Sequence, residues 1–523
     1  MGSGPRYGNE TYLGTEYVIG MDLGTTGIKL LLIDQNGVIY ASAFKPYSLI
    51  QPKPAWAEQN PTEWTRAASG GVRELVTRIG NHPEQLTAIG IAAQIDGVVP
   101  INEQGHPLGN AIIWMDRRAK QQCQQIRSAI SEQSFYSVTG LSIDPSHMAP
   151  KIMWLQENRP EAYEGAAQFL LPGNFLLKFL TDESYTDHSN ASCSMLYDIK
   201  QGQWSSKLCD LIGIPTEKLP QIRDSTYVAG CVTSTFADAC GLRSDVKVVV
   251  GGGDEEVGSV GAGVTDHLAL LDLTGTSEPM CLSLDEPLLD PTGLLECHAH
   301  GYPGKWLLEN TGSLSGGIYR WFKEQFAEAE TQQAKKLGTS AYDILNQEIS
   351  SIMPGSGGLL LLPFFSGSML PESNPDARGV LLGLTLGHTR QHIARAVMEG
   401  TAYVLRDAVE HLSKIGLAPT RIVLAGGGAR AEIWRRIKTD VINKSTVCCR
   451  NEEVTVLGAA ILALVGAGLY KHVGEAVSKI VRISDSLSPS PESAAVYEKL
   501  YDIYRETYVA LNKIFPKLSE LQL

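Results

Sequence analysis

Long apolar runs are scarce in this 523-residue chain: the longest, around Gly458 to Leu469, falls well short of the ~20 residues a bilayer crossing needs. Met1 to Thr15 is polar and glycine-containing and lacks the charged start and apolar stretch of a secretion signal, so it reads as a tail. Positive charge is in deficit, with 44 Lys and Arg against 57 Asp and Glu, a net −13. That balance excludes a protein that grips nucleic acid through its phosphate backbone, but not one that holds a nucleotide in a local pocket. The nine cysteines are dispersed, with no Cys-x-x-Cys and no His/Cys group at zinc spacing. They read as buried thiols in a reducing compartment rather than a disulfide framework or a zinc module. A soluble cytoplasmic protein with no membrane and no nucleic-acid partner is the expectation.

What is present is an ordinary globular composition, 43% hydrophobic, with length for two large domains. Tyr17 to Met21, Ile28 to Ile33 and Val38 to Ala41 read as three strands of an antiparallel meander. A helix is expected from Pro61 to Arg78, ending near Gly80, then a buried strand over Ala88 to Ala93 and a polar helix over Arg117 to Ser131. The opening pattern then returns. An apolar run over His267 to Leu273 leads into Thr274-Gly-Thr-Ser277, as Met21-Asp-Leu leads into Gly24-Thr-Thr26, and Asp22 and Asp272 hold matching places. This weak internal duplication predicts two halves, each opening with a Gly/Thr-tipped hairpin, and a cleft between them.

Such tips suit phosphate. Glycine lets backbone approach a ligand, while successive amides and the Thr25 and Thr26 hydroxyls can surround phosphoryl oxygens. Lys29 adds charge, and Asp22 is a candidate for Mg²⁺. A plain glycine turn with a solvated lysine is the alternative for either tip alone. Facing each other, the tips make one nucleotide site. Gly426-Gly-Gly428, between a strand and a helix, either lets a flat base lie on backbone or brings helix and strand close. Asp254 ends a buried strand on the shoulder Gly251-Gly-Gly253, and reads equally as a base facing the cleft or as the N-cap of the next helix.

These pieces in this order resemble the FGGY carbohydrate kinases. Gly379, Leu381, Gly383 and Leu384, followed by His392, Ile393, Ala396, Val397, Met398 and Glu399, look like that family's second signature. Lys151 and Trp154 match the first loosely, and Trp56-Ala-Glu-Gln-Asn-Pro61 and Trp114-Met-Asp116 are further likenesses, strongest to the xylulokinases. The resemblance implies an α/β, actin-like ATPase (ribonuclease H-like) fold with a duplicated core and a central cleft. It divides the chain into a tail (1–16), a sugar-binding domain (17–262), an ATP-binding domain (263–487) and a C-terminal helix packed on the body (488–523). It implies a kinase using ATP and Mg²⁺ on a small sugar such as D-xylulose, with a polyol kinase or an ATPase switch as alternatives and a homodimer as a common assembly. Asp254 would be the base. Asp22, Gly24, Thr25, Thr26, Lys29, Thr274, Gly275, Thr276, Gly316, Gly427 and Gly428 would hold Mg·ATP. Gln94, Ile95, Asp96, Trp114, Asp116 and Glu255 would face the sugar. Xylulokinases carry Met-His where this chain has Ile95-Asp96, and Asn where it has Glu255.

Overall fold

The computed structural model describes residues 14–79, 83–484 and 486–521. Most of the expected tail (1–13) and Gly80, the expected helix stop, lie outside the described residues.

The first lobe is built on a sheet of β1 (Tyr17–Leu23), β2 (Gly27–Asp34), β3 (Ile39–Pro46), β4 (Leu86–Ala93), β5 (Val228–Cys231) and β6 (Lys247–Val249), in the order β5-β6-β4-β1-β2-β3. The second lobe is built on β7 (Ala269–Leu273), β8 (Ser277–Leu284), β9 (Glu296–Ala299), β10 (Trp306–Leu314), β11 (Arg421–Ala425) and β12 (Val447–Cys448), in the order β9-β10-β8-β7-β11-β12. The repeat is topological as well as sequential. In each sheet a hairpin's first strand pairs antiparallel with its second and parallel with a later strand. Asp22 lies opposite Lys29 and Ala92, and Asp272 opposite Met280 and Leu424. The fold is the two-domain, actin-like α/β architecture.

Six helices position the rest: α1 (Pro61–Val76), α2 (Asp254–Gly261), α3 (Arg390–Lys414), α4 (Glu432–Ile442), α5 (Val454–Ala467) and α6 (Pro491–Leu511). The residues read as a helix over Arg117 to Ser131 are helical only over Lys120–Ala129, because Arg117 and Arg118 are drawn into ion pairs beside Asp116. β1 is apolar on both faces because α1 covers one side of its sheet and α5 the other. Apolar all round, α5 is correspondingly buried. Among the described residues no helix is long and apolar enough to cross a membrane.

α5 joins the lobes through close backbone contact. A Cβ on Gly90 would lie 1.9 Å from the Ala459 carbonyl, and one on Gly20 2.2 Å from that of Val456. On its other side, a Cβ on Gly261 would meet the Val454 carbonyl at 1.8 Å, and one on Gly458 the Val257 carbonyl at 2.0 Å. Only glycine permits that approach. On α6, Tyr497, Tyr501, Tyr504 and Tyr508 are buried, and the first three donate to Glu399 (2.8 Å) and Asp407 (2.7 and 3.0 Å) on α3.

Candidate active site

The β1–β2 tip is a tight turn, with the Gly24 amide donating to the Gly27 carbonyl at 3.1 Å and Thr26 exposed. Side chains from distant segments fix it. The Gln59 amide donates to the Thr25 carbonyl (2.5 Å), Tyr47 Oη to the Gly24 carbonyl, and Trp114 Nε1 to Thr25 Oγ1 (2.9 Å). Gln94 Nε2 donates to Gln59 Oε1 at 2.8 Å. Burial pushes the Asp22 carboxyl up to about 7. Lys29 pulls the other way and Glu453 adds to the rise.

Lys29 is not turned to the tip. Its ammonium lies 2.7 Å from Glu453 Oε2, at the start of α5, with both side chains about half exposed. The position expected to meet phosphate is an inter-lobe ion pair, because Glu453 supplies the nearer anion.

Asp254 opens α2, and the N-cap is Gly253, in extended conformation (φ −64, ψ 148). Asp254 is the first helical residue rather than the cap, so the capping alternative is set aside. Its placement follows from the glycine shoulder. Gly252 and Gly253 pair in parallel with Ala92 and Ala93 at the end of β4, so Asp254 and Gln94 leave the sheet side by side. Gly251 takes φ +77 and packs where a Cβ would lie 1.9 Å from the Ile91 carbonyl. Burial holds the Asp254 carboxyl well above the usual carboxylate range, and the charges of Glu255, Asp22 and Glu256 raise it further. A half-buried carboxylate with high proton affinity beside the first hairpin's sheet has the properties of a general base.

Ile95 abuts this shoulder: a Cβ on Gly253 would meet its Cγ2 at 2.7 Å. Asp96, in the left-handed region at φ +65, is buried, and its Oδ1 lies 3.0 Å from His147 Nδ1. Burial opposes charge on His147, but Asp96 outweighs it and raises the imidazole to about 9. Asp96 is thus half of an ion pair. Glu255 is half-buried, and its charge bears on both Asp254 and Glu309.

Asp116, expected at the sugar, is fully buried and takes hydrogen bonds from the Ala57 amide (2.6 Å) and Arg118 (2.7 Å). The Arg118 guanidinium also pairs with Glu58 and lies over the Trp56 and Trp154 rings, at 3.7 and 4.8 Å from their centres. Asp116 therefore braces the wall beneath Trp114, which is exposed.

In the second lobe Gly275 and Thr276 are exposed at the β7–β8 tip. Thr274 faces inward. It is 2% exposed, and its hydroxyl takes a hydrogen bond from Lys438, whose ammonium also meets Asp272 (2.5 Å) and Glu278 (2.9 Å). The second-lobe counterpart of Asp22 is consumed by this buried triad, so the duplication does not extend to the chemistry. The predicted glycines do gather around the tip. A Cβ on Gly316 would lie 2.2 Å from the Gly275 carbonyl, and one on Gly428 2.3 Å from Thr274 Cγ2. Gly427 faces open space. Arg430 beside this run pairs with Glu452, next to the residue that holds Lys29.

A cavity of 870 Å³ lies between the lobes, lined in part by Arg117, Asp144, Glu296 and Glu309. Arg117 is committed to Asp144, which burial would raise but the guanidinium holds at about 2. Sequence reasoning missed Tyr47, Gln59, Asp144, His147, Glu296 and Glu309. Only Gln59 carried a signal, within the Trp56 to Pro61 likeness.

The family model for the N-terminal domain of the FGGY carbohydrate kinases matches residues 17–261, and that for the C-terminal domain matches residues 273–467. A xylulose kinase of Bacillus subtilis is 30% identical over 94% of this chain and 97% of its own. Among solved structures, a ligand-bound xylulose kinase from Lactobacillus acidophilus superposes with a TM-score of 0.86 at 28% identity, over 96% of this chain and 100% of its own. A gluconate kinase from the same organism has a TM-score of 0.86 at 27% identity, over 97% and 100%. With both lobes, the hairpin tips and the Asp254 shoulder in place, the chain belongs to the FGGY family of carbohydrate kinases and is a sugar phosphotransferase.

Proposed function

We propose that Asp254 is the base of a kinase whose acceptor is a neutral ketopentose of the D-xylulose kind. The observation that carries this is Asp254 itself, leaving the sheet beside Gln94 with a carboxyl held well above its ordinary range. Gln94, Ile95 and Trp114 form the sugar-facing surface around it, with Glu255 as a further acceptor of hydroxyl hydrogen bonds.

The residues present fit a nucleotide and its metal. Gly316 and Gly428 leave room for hydrogen only, so the second tip offers bare backbone, with the Thr276 hydroxyl exposed. Asp22 is a half-buried carboxylate whose neighbouring cation is drawn off to Glu453. Gly275 and Thr276 would hold the phosphates, Gly316, Gly427 and Gly428 the adenosine, and Asp22 the Mg²⁺, with Thr25 and Thr26 beside it. When bound, Mg·ATP supplies the transferable γ-phosphoryl group and the charge that offsets its oxygens. Asp254 takes the hydroxyl proton at its carboxylate as the acceptor oxygen attacks. Closing the lobes excludes water, which would otherwise compete as acceptor.

A neutral acceptor is favoured over an acidic sugar such as gluconate because both nearby arginines are spent, Arg117 on Asp144 and Arg118 on Asp116 and Glu58. The test is coupled ADP release with Mg·ATP against D-xylulose, D-ribulose, erythritol, glycerol and gluconate, each repeated with Asp254→Ala. Turnover greatest on D-xylulose and lost in the variant is expected. A polyol or gluconate as best acceptor overturns the acceptor assignment, and full turnover by Asp254→Ala overturns the base.

A further inference from the structure

Behind Asp254 the interior holds three donor side chains with no part in phosphoryl transfer. Cys193 comes from the segment after the short helix His188–Ser192, Glu256 from the first turn of α2, and His298 from β9 of the second lobe. Cys193 Sγ lies 3.2 Å from Glu256 Oε1 and 3.2 Å from His298 Nδ1, and His298 Nδ1 lies 4.0 Å from Glu256 Oε1. Cys193 and Glu256 are 0% exposed and His298 2%. We propose that Cys193, Glu256 and His298 form a transition-metal site of the zinc class, which ties the second lobe to the first turn of the helix that carries Asp254.

The donor set is of the right kind and size. Thiolate, imidazole and carboxylate are the usual zinc ligands, and their bond lengths around a tetrahedral ion set donors about 3.3–3.6 Å apart. Small side-chain rotations bring the observed 3.2 to 4.0 Å into that range.

Hydrogen bonding alone leaves the cluster short of donors. Cys193 Sγ is within reach of Glu256 Oε1, His298 Nδ1 and the Ser189 carbonyl at 3.3 Å, and its one proton can satisfy only one of them. Glu256 Oε2 is buried without a hydrogen-bond partner. Glu309 is 1% exposed, and burial together with the charge of Glu255 holds its carboxyl well above the usual carboxylate range. Unmet buried polar atoms are costly, and a dication held by the Glu256 carboxylate offsets that cost.

A carboxylate stands near the far nitrogen of His298, whose Nε2 is buried without a hydrogen-bond partner. Glu296 Oε2 stands 3.7 Å from His298 Nε2 and is itself anchored through Oε1 by the Ser142 hydroxyl and amide. A small rotation that closes this gap on metal binding would fix the tautomer that leaves Nδ1 free to ligate. On ligation the thiol releases its proton to solvent, and so does any imidazolium, while sulfur and nitrogen each donate a lone pair to the metal. No electron is transferred.

The experiment is a cobalt(II) titration of the full-length, chelator-stripped protein, read by absorption, with zinc as competitor. The expected result is a thiolate-to-cobalt charge-transfer band with visible ligand-field bands of a four-coordinate site. They should saturate at one equivalent, be displaced by zinc, and vanish in Cys193→Ser while persisting in Cys231→Ser, whose thiol is exposed. Glu296→Gln should keep the band and weaken cobalt affinity about 10–100-fold. In parallel, zinc should raise the melting temperature of the wild type and leave that of Cys193→Ser unchanged, which separates lost binding from lost folding. A wild-type protein without the band, or a band that survives in folded Cys193→Ser, overturns the proposal.

Discussion

Lys29 of the first lobe and Glu453 of the second meet at 2.7 Å, so the lysine beside the first tip spends its charge on the opposite lobe. Both side chains are about half exposed, which limits the pair to roughly 0–1 kcal/mol of stability. Its weight falls on nucleotide binding. Glu453→Gln should release Lys29 toward the phosphates and lower the KM for ATP, whereas Lys29→Met, which removes a charge already spent on Glu453, should leave it near the wild-type value. Steady-state kinetics on both variants, with unfolding curves near wild type, are the check.

Asp254→Asn keeps the shape of the first turn of α2 and removes the proton acceptor. The turnover number should fall by about 10²–10⁴. ATP affinity, read by fluorescence titration of the same variant, should be unchanged.

The glycines divide by role, and alanine scanning should separate them. At Gly90 the new methyl would sit 1.9 Å from the Ala459 carbonyl, a backbone atom that cannot rotate away. Gly90→Ala should cost more than the usual 1–3 kcal/mol of overpacking in denaturant unfolding. Gly427→Ala faces open space, so it should unfold like the wild type while raising the KM for ATP.

Glu399 of the family signature is structural. Its carboxylate takes hydrogen bonds from Arg395 Nε (2.7 Å), the Gly355 amide (2.9 Å), Ser356 Oγ (2.7 Å) and Tyr497 Oη (2.8 Å). Glu399→Gln leaves the Arg395 charge buried without its counter-ion and should cost about 3–5 kcal/mol in denaturant unfolding. Turnover of the protein that remains folded should be little changed.

Asp290 sets a pH dependence. Burial would raise its carboxyl, but hydrogen bonds from His411 and Thr292 win and hold it at about 2. A folded-state value below the unfolded ~3.9 means the unfolded chain binds the proton first. The stabilisation is therefore full above about pH 4 and lost as pH falls toward 2. Asp290→Asn should cost about 1–2 kcal/mol at pH 7, surface screening included, and the gap to wild type should narrow below pH 4 in pH-resolved denaturant unfolding.

By itself the sequence determined the elements that depend on local pattern and glycine placement. The paired meanders show because runs buried on both faces are continuously apolar, and the tips show because a tight turn beside a ligand demands Gly and Thr. The glycine shoulder before Asp254 shows in the sequence, though there it fits a base and an N-cap equally, and the C-terminal helix follows from the family resemblance. Tertiary structure alone decided which charges are free. Asp116 reads as a site residue until the fold turns Arg118 onto it, and Thr274 until Lys438, 164 positions away, is seen to engage it. Lys29 reads as a phosphate ligand until Glu453, 424 positions away, is beside it. Asp96 reads as a free acceptor until His147 closes on it. Cysteines without zinc spacing read as inert, yet Cys193 meets Glu256 and His298 across 63 and 105 positions. Secondary structure and turns follow from neighbours along the chain. The charge state and availability of a side chain follow from neighbours in space, and only the folded chain supplies those.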